Sequence, residues 1–330
     1  MKREKKTNLK SLLLVLLITL VMLVASTYAW FTSNQTVTVS QLEVNVQAKS
    51  GLQISVDAQN WKSVLSTADL SQAAVNATYA TNVNQITGEM EPVSTAGTVT
   101  GGRLDMFYGV VEANETTGKF DLTATKETDV KGTNGRYIAF DIFLQVNADT
   151  PIFLTTNSTV VAVGDSKGLE NAARVAMLTQ GNVPIGSAPA TAQALNAGTA
   201  SDLFLWEPNC DTHTAAGVQN AASVYGLTTQ ETGAATLPYY GIKAAFDETA
   251  GVTIDTTNTA TTYFDPVTPD LSTNKDMGTD QTFMTLTAGI TKLRVYMWVE
   301  GEDVDCENNA SGTDIGFNLQ FTAVDPNATP

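Results

Sequence analysis

Alternation of apolar and polar side chains marks several segments of the chain as β-strands. Residues 136–149 have the clearest pattern, with one face formed by Ile138, Phe140, Ile142, Leu144 and Val146. The opposite face of this segment also carries apolar residues, so we expect a central strand that is covered on both faces. Similar alternation runs through residues 36–47, 51–57, 291–301 and 315–324.

The first of these segments changes its parity half-way. Its apolar side chains fall on one face and then on the other, first Val37 and Val39, then Leu42, Val44 and Val46. One extra residue in a strand turns every later side chain to the opposite face. The pattern therefore predicts a β-bulge or a short turn at Ser40-Gln41.

One segment has the spacing of a helix. Residues 165–181 offer Asp165 or Ser166 as N-cap and Gly181 as C-terminal cap. The apolar stripe of this predicted helix is Leu169, Ala172, Ala173, Ala176 and Met177. The alanine-rich residues 186–200 that follow are predicted to form a loop or linker.

Many short strands, few helices and polar connections favour a mainly β fold of the sandwich type. The strongly patterned first and last strands are expected in the same sandwich. We predict one domain over residues 30–330, in which a large, loop-rich insertion at about 150–285 lies over one end.

The N-terminus has the layout of a secretory signal. A basic stretch over residues 1–10 precedes an uncharged apolar run over residues 11–25 and several small residues. This predicts a signal peptide over residues 1–29, cleaved between Ala29 and Trp30. In the alternative, residues 11–31 remain as a membrane anchor with interfacial aromatic residues. In both cases the rest of the chain lies outside the cytoplasm, secreted or at the cell surface.

The residues Thr27-Tyr28-Ala29-Trp30-Phe31, after a basic start and a short apolar run, resemble the export signal of the camelysin/TasA family of Gram-positive bacteria. The resemblance extends into the following strand and more loosely to residues 290–323. It implies processing by a dedicated signal peptidase and a jelly-roll sandwich. It also implies kinship with extracellular matrix fibre subunits, and with proteins described as proteases.

The net negative charge of the chain excludes some classes of binding partner. The formal net charge is −16, although residues 1–10 contain five of the 18 Lys and Arg residues. A surface this acidic repels nucleic acid and anionic lipid, keeps an exported protein soluble and attracts cations such as Ca²⁺.

The chain contains one histidine, His213. A zinc protease of the H-E-x-x-H type is therefore excluded, and the protease implied by the family has no supporting residues. Cys210 and His213 are close in sequence, but catalytic Cys and His normally come from distant segments, so a structured loop is favoured. Nothing connects the carboxylates Asp247 and Glu248 to a reaction. We predict a protein that is not an enzyme.

Two cysteines outside the cytoplasm are a candidate disulfide, Cys210–Cys306. The alternative is two unrelated buried thiols.

Asp303, Asp305, Glu307 and Asp314 occupy positions 1, 3, 5 and 12 of an EF-hand-like loop. The loop lacks the required glycine and the final Glu, so a solvated hairpin loop is the alternative. A disulfide would add Glu207 and Asp211 to this patch. We therefore hypothesise a weak structural Ca²⁺ site, with no other cofactor.

The first strand suggests how copies of the protein could assemble. Once the signal is removed, residues 30–47 could complete the sheet edge of a neighbouring copy. The inserting side chains would be Val37, Val39, Leu42, Val44 and Val46. The alternative is that this strand pairs within its own subunit. The expected partners are copies of the same chain or other cell-surface proteins.

A cell-surface binding module of the carbohydrate or adhesin type, held by an uncleaved N-terminal segment, is the competing function. Exposed aromatic residues could stack on sugars, and the candidates are Trp61, Trp206, Trp298, Tyr239 and Tyr240.

Overall fold

The computed structural model describes residues 36–47, 51–66, 68–70, 79, 82, 84–114, 116, 119–198, 202–219, 239–248, 260–306 and 312–323. The predicted signal peptide, with Ala29 and Trp30, lies outside these residues. Among the described residues, no helix combines the length and apolar character needed to cross a bilayer.

The protein is mainly β, as predicted. In the first half the strands are β1 (Val37–Gln47), β2 (Gln53–Ser55), β3 (Val64–Leu65), β4 (Glu89–Met90), β5 (Val99–Thr100), β6 (Arg103–Leu104), β7 (Phe107–Asn114), β8 (Lys119–Lys126), β9 (Ile138–Val146), β10 (Thr150–Leu154) and β11 (Thr159–Ala162).

In the second half the strands are β12 (Ala173–Val183), β13 (Leu203–Glu207), β14 (Tyr239–Ile242), β15 (Phe246–Glu248), β16 (Phe264–Val267), β17 (Leu271–Ser272), β18 (Gln281–Leu286), β19 (Gly289–Val299) and β20 (Asp314–Thr322). The helices with assigned bounds are short, a 3₁₀ turn at Leu169–Ala172, α1 at Pro189–Gln193 and α2 at Ala260–Tyr263.

Two large sheets build the fold. The first has the order β18-β10-β20-β1-β3, with β11 also pairing with β20 and β4 with β1. The second has the order β17-β13-β12-β19-β9-β2. One hydrophobic cluster holds side chains of both sheets, among them Leu42 and Phe317 from the first and Ile142 and Val295 from the second. The two sheets therefore pack face to face as a sandwich.

The second sheet is covered on its other face as well. Trp298 and Tyr296 of β19 pack there with Val99 of β5 and Tyr239 of β14. The small sheets β5–β6 and β14–β16 thus form a further layer. As a result almost every residue of β9 is buried, which confirms the prediction of a central strand with two covered faces.

The bulge predicted in the first strand is confirmed. Strand β1 pairs in parallel with β20, and the register shifts where Val39 is opposite Ile315 and Gln41 is opposite Gly316. Ser40 is the extra residue between them. The shift brings the apolar side chains before and after it to the same core, since Val37, Leu42, Val44 and Val46 are all buried.

The helix predicted over residues 165–181 is wrong. Within this range only the 3₁₀ turn at Leu169–Ala172 is helical, residues 165–168 are irregular, and the residues from Ala173 onward belong to β12. This strand pairs with β19 from Ala173–Val299 to Val183–Ile290, so its alanines are enclosed by a sheet. Gly181 lies at a register shift with φ of 128° and does not cap a helix. Tertiary pairing has overridden helical spacing.

Residues 150–285 also differ from the expected insertion. They contribute β10, β11 and β18 to the first large sheet and β12, β13 and β17 to the second. This range is therefore part of the sandwich itself. The predicted loop over residues 186–200 includes the short helix α1.

Candidate functional site

Strand β1 lies between a long partner and two short ones. On one side β20 accompanies it from Thr38–Asp314 to Gln47–Thr322. On the other side β3 pairs only at Val44 and Asn45, and β4 only at Val37 and Thr38. The last strand of the fold therefore provides most of the backbone partners of the first.

Side chains also attach β1 to the sandwich. Leu42 and Val44 have no exposed surface, and Val46 is 5% exposed. On the more exposed face, Asn45 Nδ2 donates to Asn318 Oδ1 over 3.3 Å. Of the five predicted inserting side chains, only Val39 is partly exposed.

A buried arginine occupies the end of the second large sheet. Arg174 Nη2 on β12 lies 2.5 Å from Glu207 Oε1 and 2.5 Å from Asp303 Oδ2. Arg174 Nη1 donates to the carbonyl oxygens of Asn171 and Ala173. Burial disfavours the charged guanidinium, but Glu207 and Asp303 outweigh it and hold the pKa of Arg174 above its usual value.

Asp305 is a third carboxylate with a close partner in this region. Its Oδ2 lies 2.7 Å from His213 Nδ1, and its Oδ1 accepts from the backbone N–H and the hydroxyl of Thr214. The backbone packs closely here, because a Cβ at Gly217 would lie 2.2 Å from Asp305 Oδ1. The only histidine of the chain is therefore tied to an enclosed carboxylate.

These contacts correct the predicted calcium site. The structure gathers Glu207, Asp303 and Asp305 at one end of the sandwich, but Arg174, His213 and Thr214 are their partners. Asp211 Oδ1 instead accepts from the backbone N–H of Lys275. Asp314 is exposed at the start of β20, and Glu307 lies outside the described residues. No group of three or more His, Cys, Asp or Glu side chains in the described part of the chain is placed to hold a metal ion.

The two cysteines are separate buried thiols in this structure, in place of the predicted disulfide. Cys306 belongs to the main core. Burial, followed by the charges of Asp303 and Glu300, raises the pKa of the Cys306 thiol well above its usual value. Cys210 Sγ lies 3.7 Å from Asn274 Oδ1. A thiol such as Cys306 is a poor nucleophile, because the thiolate is the reactive form.

Two further carboxyl groups lie beside these residues. Glu300 Oε2 accepts from Trp298 Nε1 over 2.9 Å, and its Oε1 accepts from the backbone N–H of Glu302 over 3.2 Å. Both carboxyl oxygens of Glu302 are buried without a hydrogen-bond partner. Burial raises the pKa of Glu300 to about 7, and burial together with Glu300 raises that of Glu302 well above its usual value.

A second buried charge cluster lies on the outer face of the second large sheet. Arg294 Nε and Lys292 Nζ on β19 lie 2.8 Å and 3.3 Å from the carboxylate of Asp141 on β9. The hydroxyl of Tyr79 donates a hydrogen bond to the same carboxylate. Burial raises the pKa of Asp141, but Arg294 and Lys292 overcome this effect and lower it below its usual value. The sequence signal for this cluster was charged residues inside otherwise apolar strands.

The predicted sugar-stacking surface is wrong for three of its five residues. Trp206, Trp298 and Tyr239 are at most 2% exposed. The indole N–H of Trp206 donates to Thr273 Oγ1 over 2.8 Å, as expected for an enclosed tryptophan. Trp61 and Tyr240 are only partly exposed.

Asp247, one of the two carboxylates that the sequence did not connect to a reaction, is exposed on β15.

Comparison with protein-family models, with curated proteins and with solved structures finds no match to this chain.

Proposed function

We propose that the protein is an exported structural subunit of the cell surface or extracellular matrix, and that copies assemble by exchanging β1. The export part of this proposal rests on the N-terminal pattern of basic, apolar and small residues. It also rests on the resemblance of residues 27–31 to the camelysin/TasA signal. The assembly part rests on the position of β1.

The observation that carries the proposal is the pairing of the first strand with the last. Strand β1 is the first element of the described fold, and its register with β20 is held by the bulge at Ser40. The same backbone pairs and the same buried side chains are available to β1 of a neighbouring copy. Exchange of an identical element between subunits creates a new connection at little cost, because the contacts themselves are unchanged.

A non-enzymatic function agrees with the chemistry at the end of the sandwich. His213 is bound to Asp305, and its side chain is only 6% exposed. Glu300 and Glu302 have 0% and 1% of their surface exposed. These groups are enclosed by the protein itself, so a substrate would have to displace part of the fold to reach them.

Strand exchange can be tested with thiols across the β1–β20 contact. We suggest two variants of a chain that begins at Trp30 and has Cys210 and Cys306 replaced by Ala. One carries Asn45→Cys and the other Asn318→Cys, at side chains that touch in the structure. The two chains are unfolded together, refolded, allowed to assemble and treated with a short bifunctional thiol reagent.

If β1 is exchanged, the two different chains become cross-linked, and mass spectrometry finds the link between residues 45 and 318. The matched control replaces the second chain with one carrying Glu112→Cys, an exposed position on β7 that should not link. A chain carrying both Asn45→Cys and Asn318→Cys reports pairing within one subunit. Cross-linking in that chain alone, with no link between chains, would show that β1 stays in its own subunit.

A further inference from the structure

The end of β19 encloses more acidic groups than basic ones. Five carboxyl groups are buried together, those of Glu207, Glu300, Glu302, Asp303 and Asp305. Among the described residues, the charged or titratable groups facing them are Arg174 from β12, Tyr239 from β14, Cys306 from the turn after β19, and His213. One permanent cation cannot balance five carboxylates. Either protons or a bound cation must neutralise the remainder.

Glu302 is the member without compensation. Glu207 and Asp303 share Arg174, Asp305 is bound by His213 and Thr214, and Glu300 accepts two N–H donors. Both oxygens of Glu302 lack a hydrogen-bond partner, and so does the hydroxyl of Tyr239. An ionised carboxylate at this position would be shielded from water and close to a second acid. The neutral acid is therefore strongly favoured.

We propose that Glu302 is a proton-holding residue, neutral at physiological pH, whose ionisation in alkaline solution opens the turn over residues 300–306 that follows β19. Protons are favoured over a metal because no three acidic, His or Cys side chains among the described residues are placed to hold a metal ion together. The pKa of Glu300, raised to about 7, and that of Glu302, raised well above its usual value, agree with this geometry. The turn over residues 300–306 would respond first, since it contains both groups.

The direction of the effect follows from linkage. A carboxyl group whose pKa is raised on folding destabilises the fold once the pH exceeds its unfolded value, and the loss grows until the folded pKa is reached. For Glu300 the loss is complete near pH 7. The proposed ionisation of Glu302 in alkaline solution would extend the loss of stability above pH 7. Asp141 has a lowered pKa, so it affects stability only in acid.

The test uses the intact chain from Trp30 and urea unfolding between pH 6 and pH 9.5. In the wild type, the unfolding constant should rise by up to about tenfold per pH unit above pH 7, as expected for one proton released on unfolding. Between pH 7 and pH 8, below the range in which the Cys306 thiol of the unfolded chain releases its own proton, Glu302→Gln should lack this rise. Glu302→Met should lack it too, and this second variant controls for any disturbance by the buried amide. Glu112→Gln removes an exposed acid and should keep the wild-type slope.

Opening of the turn has a separate readout at Cys306. In chains carrying Cys210→Ala, a maleimide should label Cys306 faster in the wild type than in Glu302→Gln at pH 9. Less negative charge in the variant favours the thiolate, so without opening the variant would label faster. Equal pH slopes for wild type and both Glu302 variants would overturn the proposal. So would stabilisation by Ca²⁺ at pH 8 that is lost in Glu302→Gln, because a cation would then be the neutralising partner.

Discussion

Arg174 shows how one residue changes the chemistry of a whole region. Its guanidinium lies between Glu207 and Asp303 with 1% of the side chain exposed. A carboxylate-rich turn seen in the sequence suggests calcium, whereas the same carboxylates beside an arginine form an internal ion cluster. Breaking a buried pair by removing one partner is costly, because the other charge stays enclosed.

At this scale we predict the effect of Arg174→Met, which keeps much of the volume and removes the charge. The variant should lose about 3–5 kcal/mol of unfolding free energy at pH 7, measured by urea unfolding. The control is Lys62→Met, in a solvent-exposed pair with Asp69 that should contribute less than about 1 kcal/mol. A neutral Arg174→Met would contradict the role assigned to this residue.

Among the elements, β1 depends on a single extra residue. Ser40 has no counterpart in the pairing of Val39 with Ile315 and of Gln41 with Gly316. It allows apolar side chains of opposite parity to face one core. Gly316 helps, since a Cβ there would approach Val163 Cγ2 to 3.2 Å and Gln41 Cβ to 3.5 Å.

Deleting Ser40 should therefore destabilise the fold far more than changing its side chain. Without the extra residue, either Val37 or the group beginning at Leu42 must turn away from the core. We expect a loss of more than about 4 kcal/mol for the deletion. Ser40→Ala, at an exposed position, should stay within about 0.5 kcal/mol of the wild type. Thermal and urea unfolding compare the two, and a deletion as stable as the wild type would refute the register argument.

For the whole molecule, the central feature is the pairing of the first described strand, β1, with the last, β20. The first and last described strands pair in parallel in one sheet, so anything that delays or tethers β1 affects the completed sandwich. In the proposed function, the predicted new N-terminus at Trp30 lies just before β1, so release from the membrane and cleavage by the signal peptidase would affect the pairing of β1 with β20. Processing of the N-terminus and assembly are therefore coupled in the function proposed for this protein.

The corresponding prediction concerns the N-terminus of the protein made by its own cells. Mass spectrometry of the extracellular fraction should find a chain that begins at Trp30, in assemblies larger than one subunit. A chain that begins at Met1 in the membrane fraction would instead identify residues 11–31 as an anchor. Exchange of β1 between subunits would then be opposed by the tether.

Local patterns were sufficient for the four longest alternating segments and for the bulge. Residues 36–47, 136–149, 291–301 and 315–324 place apolar side chains at every second position, apart from the parity change at Ser40-Gln41, and this spacing is carried by each segment in its own sequence. The parity change at Ser40-Gln41 was readable for the same reason. Jelly-roll topology, export and self-assembly remain predictions, since no strand pattern specifies them.

Tertiary structure decided the features that depend on distant neighbours. Residues 173–183 have helical spacing, yet β19 and β13 on either side make them a strand. Trp298 and Trp206 look available in the sequence, but Trp206 packs in the core between the two large sheets and a further layer of the fold encloses Trp298. The charge cluster joins residues 174, 207 and 303, which no local pattern connects. Periodicity is set by neighbours along the chain, whereas burial of polar groups and pairing of charges are set by contacts across it.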